Sequence, residues 1–147
     1  MKNRKIYFYS ALFITFLVVI ILITGSSILN IGFDSNDTIP LGTFITWLGM
    51  IALPLTVYWG IKNLRTPNNQ FINILAIALK IIIVLGILWV PISYLLAGNL
   101  AFSFSEKATF QGGQAAMRWF WRLSYSIGIG SLSVLIIYWI SLLFKKN

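Results

Sequence analysis

Cysteine and histidine are absent from this chain, and only three of its 147 residues are acidic. The absence of cysteine excludes disulfides, thiolate metal sites and a thiol nucleophile. The absence of histidine removes the commonest metal ligand and the commonest general base. The sequence also contains no H-E-x-x-H, G-x-S-x-G or S-x-x-K motif. We therefore predict that the protein is not an enzyme and that it holds no cofactor and no metal.

Charge of either sign is scarce, at 10% of the residues, whereas 59% are hydrophobic. A soluble domain usually carries about a quarter charged residues, which cover its surface, so this composition excludes an ordinary soluble fold. The net charge of +8 comes from eleven lysines and arginines. These stand singly or in pairs at the ends of apolar runs and form no basic stripe, so we predict no nucleic-acid partner.

Four apolar segments are each long enough to cross about 30 Å of hydrocarbon as a helix. They run over residues 6–29, 40–61, 71–97 and 123–144. The first is too long for the apolar region of a signal peptide, and no A-x-A-like cleavage site follows it, so we interpret it as a retained anchor. The sequence thus predicts an all-α, polytopic integral membrane protein, in which residues 1–147 form one four-helix transmembrane domain.

The basic residues predict how the four segments are oriented. If the segments alternate in direction, one side of the membrane receives Lys2, Arg4, Lys5, Lys62, Arg65, Lys145 and Lys146. An excess of lysine and arginine marks the cytoplasmic side, so we predict that both termini are cytoplasmic. The high usage of Ile, Asn and Lys beside few acids is reminiscent of small bacterial membrane proteins. It predicts a multi-pass protein of the plasma membrane, here the bacterial cytoplasmic membrane.

Small residues at helical spacing predict where helices pack closely, because they allow two backbones to approach. One such stripe lies in the second segment and another in the outer half of the fourth. The predicted contact residues are Ala52, Thr56 and Gly60 in the second segment, and Ser124, Gly128 and Ser131 in the fourth. Pro54 and Pro91 lie inside the second and third segments, and we expect each to kink its helix. The first segment has no such stripe, so we expect it to face lipid.

Three basic residues are candidate contacts for a ligand or a lipid. Lys80 lies nine residues into the third segment, where a charge costs on the order of 3 kcal/mol. Either it reaches the headgroups along its flexible stem, which we favour, or it is a buried functional charge. Arg118 and Arg122 lie one helical turn apart in RWFWR, before the fourth segment. Either they grip lipid phosphates or an anionic ligand by forked hydrogen bonds, or they simply flank an aromatic interface anchor.

Within the longest connection, residues 98–117, the stretch LAFSFSEKATF at 100–110 has the alternating pattern of a short strand or of an amphipathic lid lying on the membrane. It matches no catalytic motif. We therefore expect a non-catalytic accessory, regulatory or self-protection protein, whose partners are membrane lipid and either another membrane protein or further copies of the chain. The alternative is a small transporter or a subunit of an oligomeric channel, in which Lys80 or the two arginines meet an anion.

Overall fold

The structure of the protein is a computed structural model that describes residues 2–33, 39–101 and 110–144. The helices in these ranges are α1 (Lys2–Thr24), α2 (Leu41–Gly60), α3 (Lys62–Arg65), α4 (Gln70–Ile87), α5 (Trp89–Ala97) and α6 (Gly113–Phe144). The same ranges contain no β-strand, although Gly32 and Pro40 make one antiparallel bridge. Helices α1, α2, α4 and α6 are each long and apolar enough to cross a membrane. The predicted all-α fold with four membrane-spanning helices is therefore confirmed.

α1 ends five residues before the predicted boundary at residue 29 because Gly25 reverses the backbone. Gly25 has a φ of 59°, in the left-handed region that glycine adopts without steric cost. Its amide donates to the carbonyl of Leu22, and the amide of Ser26 donates to the carbonyl of Ile21. This pair of hydrogen bonds is the Schellman pattern of a helix end. The chain thus leaves the first helix earlier than its run of apolar residues indicates.

The third apolar segment consists of two helices. α4 begins after Asn69, whose side-chain oxygen accepts a hydrogen bond from the Ile72 amide at 2.8 Å and caps the helix. α4 and α5 meet at Leu88, close to Pro91, which has no amide proton for the carbonyl four residues earlier. An interruption is therefore found where Pro91 predicts one, whereas α2 remains helical through Pro54.

α6 begins at Gly113, ten residues before the predicted fourth segment, and is 32 residues long. At 1.5 Å per residue it measures about 48 Å, which exceeds the hydrocarbon thickness of about 30 Å. α6 is therefore longer than one span requires, and its first turns, which contain RWFWR, precede the predicted apolar segment. The predicted strand or membrane-lying segment covers residues 100–110, of which residues 102–109 lie outside the described ranges. The remainder of the long connection is helical from Gly113 onwards.

α2 is the central helix and packs against α1, α4 and α6. α1 lies on the outside of the bundle along α2, and its spanning part is the least buried of the four. The rings of Tyr7 and Trp59 lie 5.2 Å apart, and the Asn63 amide donates to the Tyr138 hydroxyl at 3.1 Å. The start of α1, the end of α2 and the end of α6 therefore share one end of the bundle, which we call the terminal end. The opposite end is the loop end.

Two apolar clusters hold the five helices from α2 through α6 together. The cluster toward the terminal end consists of Val57, Leu64, Ile72, Leu75, Ala76, Leu79, Val134 and Tyr138. The cluster toward the loop end consists of Trp89, Ala97, Phe120 and Ile127. Because lipid is as apolar as these side chains, close packing rather than exclusion from water stabilises the contacts between the helices.

Candidate functional site

A cleft of about 520 Å³ opens on the side of the bundle between α1 and α6, in the half nearer the loop end. Leu22 of α1 lines one side, and α6 lines the other from Phe120 to Leu132. The floor is formed by α2 and by Trp89, the first residue of α5. Because the flanking helices both span the membrane, this space faces the lipid of the bilayer. We call it the lateral cleft.

The spacing of residues on two helices creates the lateral cleft. Thr46, Met50 and Leu53 follow one another at intervals of four and three residues, which places them on one face of α2. On α6 the cleft is lined by Gly128. A Cβ atom built on Gly128 would have no heavy atom within 4 Å. The absence of a side chain at this position therefore leaves part of the gap between the helices open.

Trp89, Ser124 and Thr46 are among the side chains with polar groups at the lateral cleft. The indole nitrogen of Trp89 donates to the Ser124 hydroxyl at 2.8 Å, and that hydroxyl donates to the Phe120 carbonyl at 2.9 Å. Thr46 differs from them. It is only 8% exposed, and its hydroxyl oxygen is buried without a hydrogen-bond partner among the described residues. A buried hydroxyl without a partner costs about 1–3 kcal/mol. The oxygen itself has almost no accessible surface, so an occupant of the cleft can offset this cost only after the Thr46 side chain rotates toward the cleft.

Aromatic side chains form the α6 edge of the cleft. The rings of Trp121 and Tyr125 are stacked, with their centroids 5.5 Å apart and their planes at 24°. A smaller cavity of about 150 Å³ adjoins the cleft and shares Leu22, Thr46 and Gly128 with it. The apolar space therefore continues from the edge of α6 into the groove between α1 and α2.

The small residues predicted on α2 face α1. Ala52 is buried and lies beside a small cavity against α1. The hydroxyls of Thr56 and Thr15 lie 3.2 Å apart. A Cβ atom on Gly60 would lie 3.0 Å from the ring of Phe8. All three residues of this stripe thus take part in the contact between the first two spans.

The small residues predicted on α6 have different surroundings from one another. Ser124 is buried and accepts the hydrogen bond of Trp89. Ser131 is fully buried and donates to the Ile127 carbonyl at 2.7 Å. Gly128 instead lines the lateral cleft. The stripe therefore combines two buried hydroxyls with an open position, a difference that residue size alone does not reveal.

The three basic candidates lie on the outer surface of the bundle. Lys80 is exposed, ten residues after the start of α4 at Gln70, or about 15 Å along the helix. Arg118 and Arg122 are also exposed, and the Arg122 guanidinium carbon lies 5.2 Å from the ring centroid of Trp119. None of the three basic residues lines the lateral cleft.

Thr46 and Trp89, which give the cleft its polar character, are not among the residues that sequence analysis selects. Threonine and tryptophan are ordinary residues in an apolar segment, and neither lies in a recognisable motif. Sequence analysis does select Ser124 and Gly128, which line the cleft, but small size at these positions predicts close packing as readily as an open space. Contacts between helices are therefore needed to find this site.

No protein-family model, curated protein or solved structure matches this chain. Among the described residues there is no group of three or more His, Cys, Asp or Glu side chains able to hold a metal ion. The lateral cleft offers apolar walls, access from the bilayer and one hydroxyl without a partner. This arrangement suits the binding of an apolar molecule that carries a single polar group.

Proposed function

We propose that the protein is a non-catalytic accessory or regulatory membrane protein that binds an apolar molecule from the bilayer. The observation that carries this proposal is the lateral cleft, with its volume of about 520 Å³. Ligand pockets are typically about 300–1,000 Å³ in size and apolar, with a few polar groups that orient the ligand. The cleft has this size and character, and the Thr46 hydroxyl is its orienting group.

The acyl chain of a membrane lipid is the occupant that suits the cleft best. Such a chain enters sideways between α1 and α6 without crossing water. Thr46 lies five residues after the start of α2 at Leu41, or about 8 Å along the helix from the loop end. At this depth its hydroxyl, once the side chain rotates toward the cleft, donates to the ester carbonyl of a lipid, while the chain lies against Met50 and Leu53.

The accessory role means that the protein acts through what it binds. Its partners are membrane lipid and either another membrane protein or further copies of the chain, and regulation or self-protection of the envelope is the biological role we propose. We also propose that it resides in the plasma membrane, the cytoplasmic membrane of a bacterium, with both termini inside. Support for this orientation comes from the basic residues at the terminal end, Arg4, Lys62 and Arg65.

Replacement of Gly128 by leucine tests the proposal, because the new side chain enters the cleft at a position where a Cβ meets no other atom. Wild-type and variant proteins are purified in a mild detergent and extracted with organic solvent, and the retained lipid is quantified by mass spectrometry. We expect the wild type to retain lipid in proportion to the protein. We expect Gly128→Leu to retain several-fold less.

The matched control is Ser126→Leu, which adds the same side chain to an exposed position of α6. This variant should retain as much lipid as the wild type. Equal retention by Gly128→Leu and the wild type would reject the cleft as the binding site. A wild type that retains no apolar molecule at all would reject the proposed function.

A small transporter or a subunit of an oligomeric channel is the second candidate, and the interruption at Leu88 favours it. Secondary transporters often build their substrate sites at interrupted helices, and Trp89, which follows the interruption, lines the cleft. Solute uptake by proteoliposomes distinguishes the candidates. A saturable flux that Gly128→Leu abolishes supports transport, whereas retained lipid without flux supports the accessory role.

A further inference from the structure

Two arginines from different parts of the chain lie at the terminal end, where the ring of Tyr7, three residues after Arg4, contacts Trp59, the aromatic neighbour of Arg65. Arg4 belongs to the first turn of α1, and Arg65 is the last residue of α3. The charge of Arg4 is close enough to act electrostatically on Arg65. Lys62 lies one helical turn before Arg65 on the same short helix. The fold therefore concentrates positive charge at one place, although these residues are distant in sequence.

The guanidinium group of Arg65 lies over the ring of Trp59, which in turn contacts Tyr7. Its central carbon lies 5.6 Å from the ring centroid of Trp59, and that ring lies 5.2 Å from the ring of Tyr7. A guanidinium within about 6 Å of a tryptophan ring is attracted by the ring. Tyrosine and tryptophan also concentrate at the level of the lipid headgroups. Arg65 thus lies beside a pair of aromatic residues of the kind that concentrates at headgroup level.

The charge of Arg65 has no counter-charge among the described residues. All three acidic residues belong to the connections of the loop end and lie outside the described ranges. The Nε atom of Arg65 is buried without a hydrogen-bond partner in the described part of the chain. Burial lowers the pKa of Arg65 below its usual value, the charge of Arg4 lowers it further, and Tyr58 acts in the opposite direction. One nitrogen of the guanidinium group is therefore buried, and no described residue supplies an anion to the rest of the group.

We propose that Arg4 and Arg65 form a binding site for the phosphate group of an anionic phospholipid, with Trp59 as the apolar side of the site. Arginine binds phosphate by forked, charge-assisted hydrogen bonds, and a phosphate oxygen supplies a negative charge that none of the described residues provides at this place. The lipid's acyl chains extend from the phosphate along the outer surfaces of α1 and α2. This site lies at the opposite end of the bundle from the lateral cleft, so it does not depend on the function proposed above.

Lipid titration of the purified full chain tests the proposal. The protein is stripped of lipid in detergent and titrated with phosphatidylglycerol or phosphatidylcholine of identical acyl chains, and bound lipid is counted by native mass spectrometry. We expect the wild type to prefer phosphatidylglycerol. We expect Arg4→Gln and Arg65→Gln each to weaken phosphatidylglycerol binding about tenfold, because each removes a charged hydrogen-bond donor. Binding of phosphatidylcholine should change little.

Lys5→Gln is the matched control, because it removes one exposed positive charge beside Arg4 without touching the pair. It should leave the lipid preference close to that of the wild type. Arg65→Lys keeps the charge and the length of the side chain but loses the fork, so it should fold normally and still bind phosphatidylglycerol less tightly. Equal losses in Lys5→Gln and Arg65→Gln, or full affinity in Arg65→Lys, would overturn the proposed site.

A free phosphate ion offers the same chemistry as a lipid headgroup, so the two sources are separated by competition. Inorganic phosphate in large excess should leave phosphatidylglycerol bound, because the acyl chains of the lipid add contacts that the ion lacks. Displacement of the lipid by inorganic phosphate would overturn the assignment to a lipid. A wild type without preference between the two lipids would overturn it as well.

Discussion

The indole nitrogen of Trp47 lies 3.1 Å from the carbonyl oxygen of Ile87 and donates a hydrogen bond to it. A second hydrogen bond, of 3.2 Å, goes to the carbonyl of Gly86. The carbonyl of Ile87 stands four residues before Pro91, whose ring nitrogen has no proton to donate. The Trp47 side chain therefore supplies the hydrogen bond that Pro91 cannot donate to the Ile87 carbonyl. The hydrocarbon of a bilayer contains no water that could do so instead.

Replacement of Trp47 by phenylalanine removes this donor while it keeps an aromatic side chain. We expect Trp47→Phe to lower the free energy of unfolding in detergent by about 1–2 kcal/mol, the usual size of a hydrogen bond between membrane helices. Thermal unfolding followed by circular dichroism measures the effect. Trp139→Phe serves as the control, since Trp139 is 60% exposed on α6. Equal losses in the two variants would argue against the role of the indole nitrogen.

The backbones of α2 and α4 lie close together at Gly86. A Cβ atom on Gly86 would lie 2.5 Å from the carbonyl oxygen of Met50, and Met50 stands four residues before Pro54. Because the obstacle is backbone and not the end of a flexible side chain, we expect Gly86→Ala to destabilise the fold by about 1–3 kcal/mol.

Gly128→Ala is the matched comparison for Gly86→Ala, because a Cβ atom there meets no heavy atom within 4 Å. This second substitution should be neutral or slightly stabilising, since alanine favours a helix over glycine by about 1 kcal/mol. Thermal unfolding of both variants in the same detergent gives the sign of each change. A Gly86→Ala protein as stable as Gly128→Ala would contradict the close approach of α2 and α4.

The orientation in the membrane can be tested by labelling single introduced cysteines, since the chain has no native cysteine that would also react. Asn68 lies between α3 and α4 and Gln114 lies in the first turn of α6, and both are exposed. We expect Asn68→Cys to be shielded from a membrane-impermeant thiol reagent in intact cells and Gln114→Cys to react, because the basic terminal end faces the cytoplasm. The opposite labelling pattern would reverse the proposed orientation.

Lys80 lies on the outer surface of α4, where a long side chain can reach the headgroups. We therefore expect Lys80→Arg and Lys80→Gln to insert, to accumulate and to retain lipid as the wild type does. Membrane fractionation and the lipid extraction described above provide the measurements. A Lys80→Gln protein that accumulates normally but loses lipid or solute flux would instead identify a functional charge.

One feature of the fold, the interruption of the third apolar segment, is predictable because its cause is local, whereas two helix ends are not. The interruption near Pro91 follows from the missing amide proton of that one residue. The end of α1 at Gly25 and the early start of α6 at Gly113 are not predicted by hydropathy. The first depends on a left-handed backbone conformation, and the second lies in a stretch that is helical without being strongly apolar. Hydropathy measures whether a segment suits lipid, and it does not measure where hydrogen bonding begins and ends.

Hydropathy along the chain is enough to predict four membrane-spanning helices, because a bilayer demands about 20 apolar residues for each span and that requirement is read along a single segment. The packing of the helices was needed to show that Trp47 meets Ile87, that Arg65 lies against Trp59, and that α1 and α6 leave a cleft beside Thr46. These relationships depend on the rotation and crossing of each helix. Both are set by side chains packed against residues far away in the chain, so no single segment contains the information.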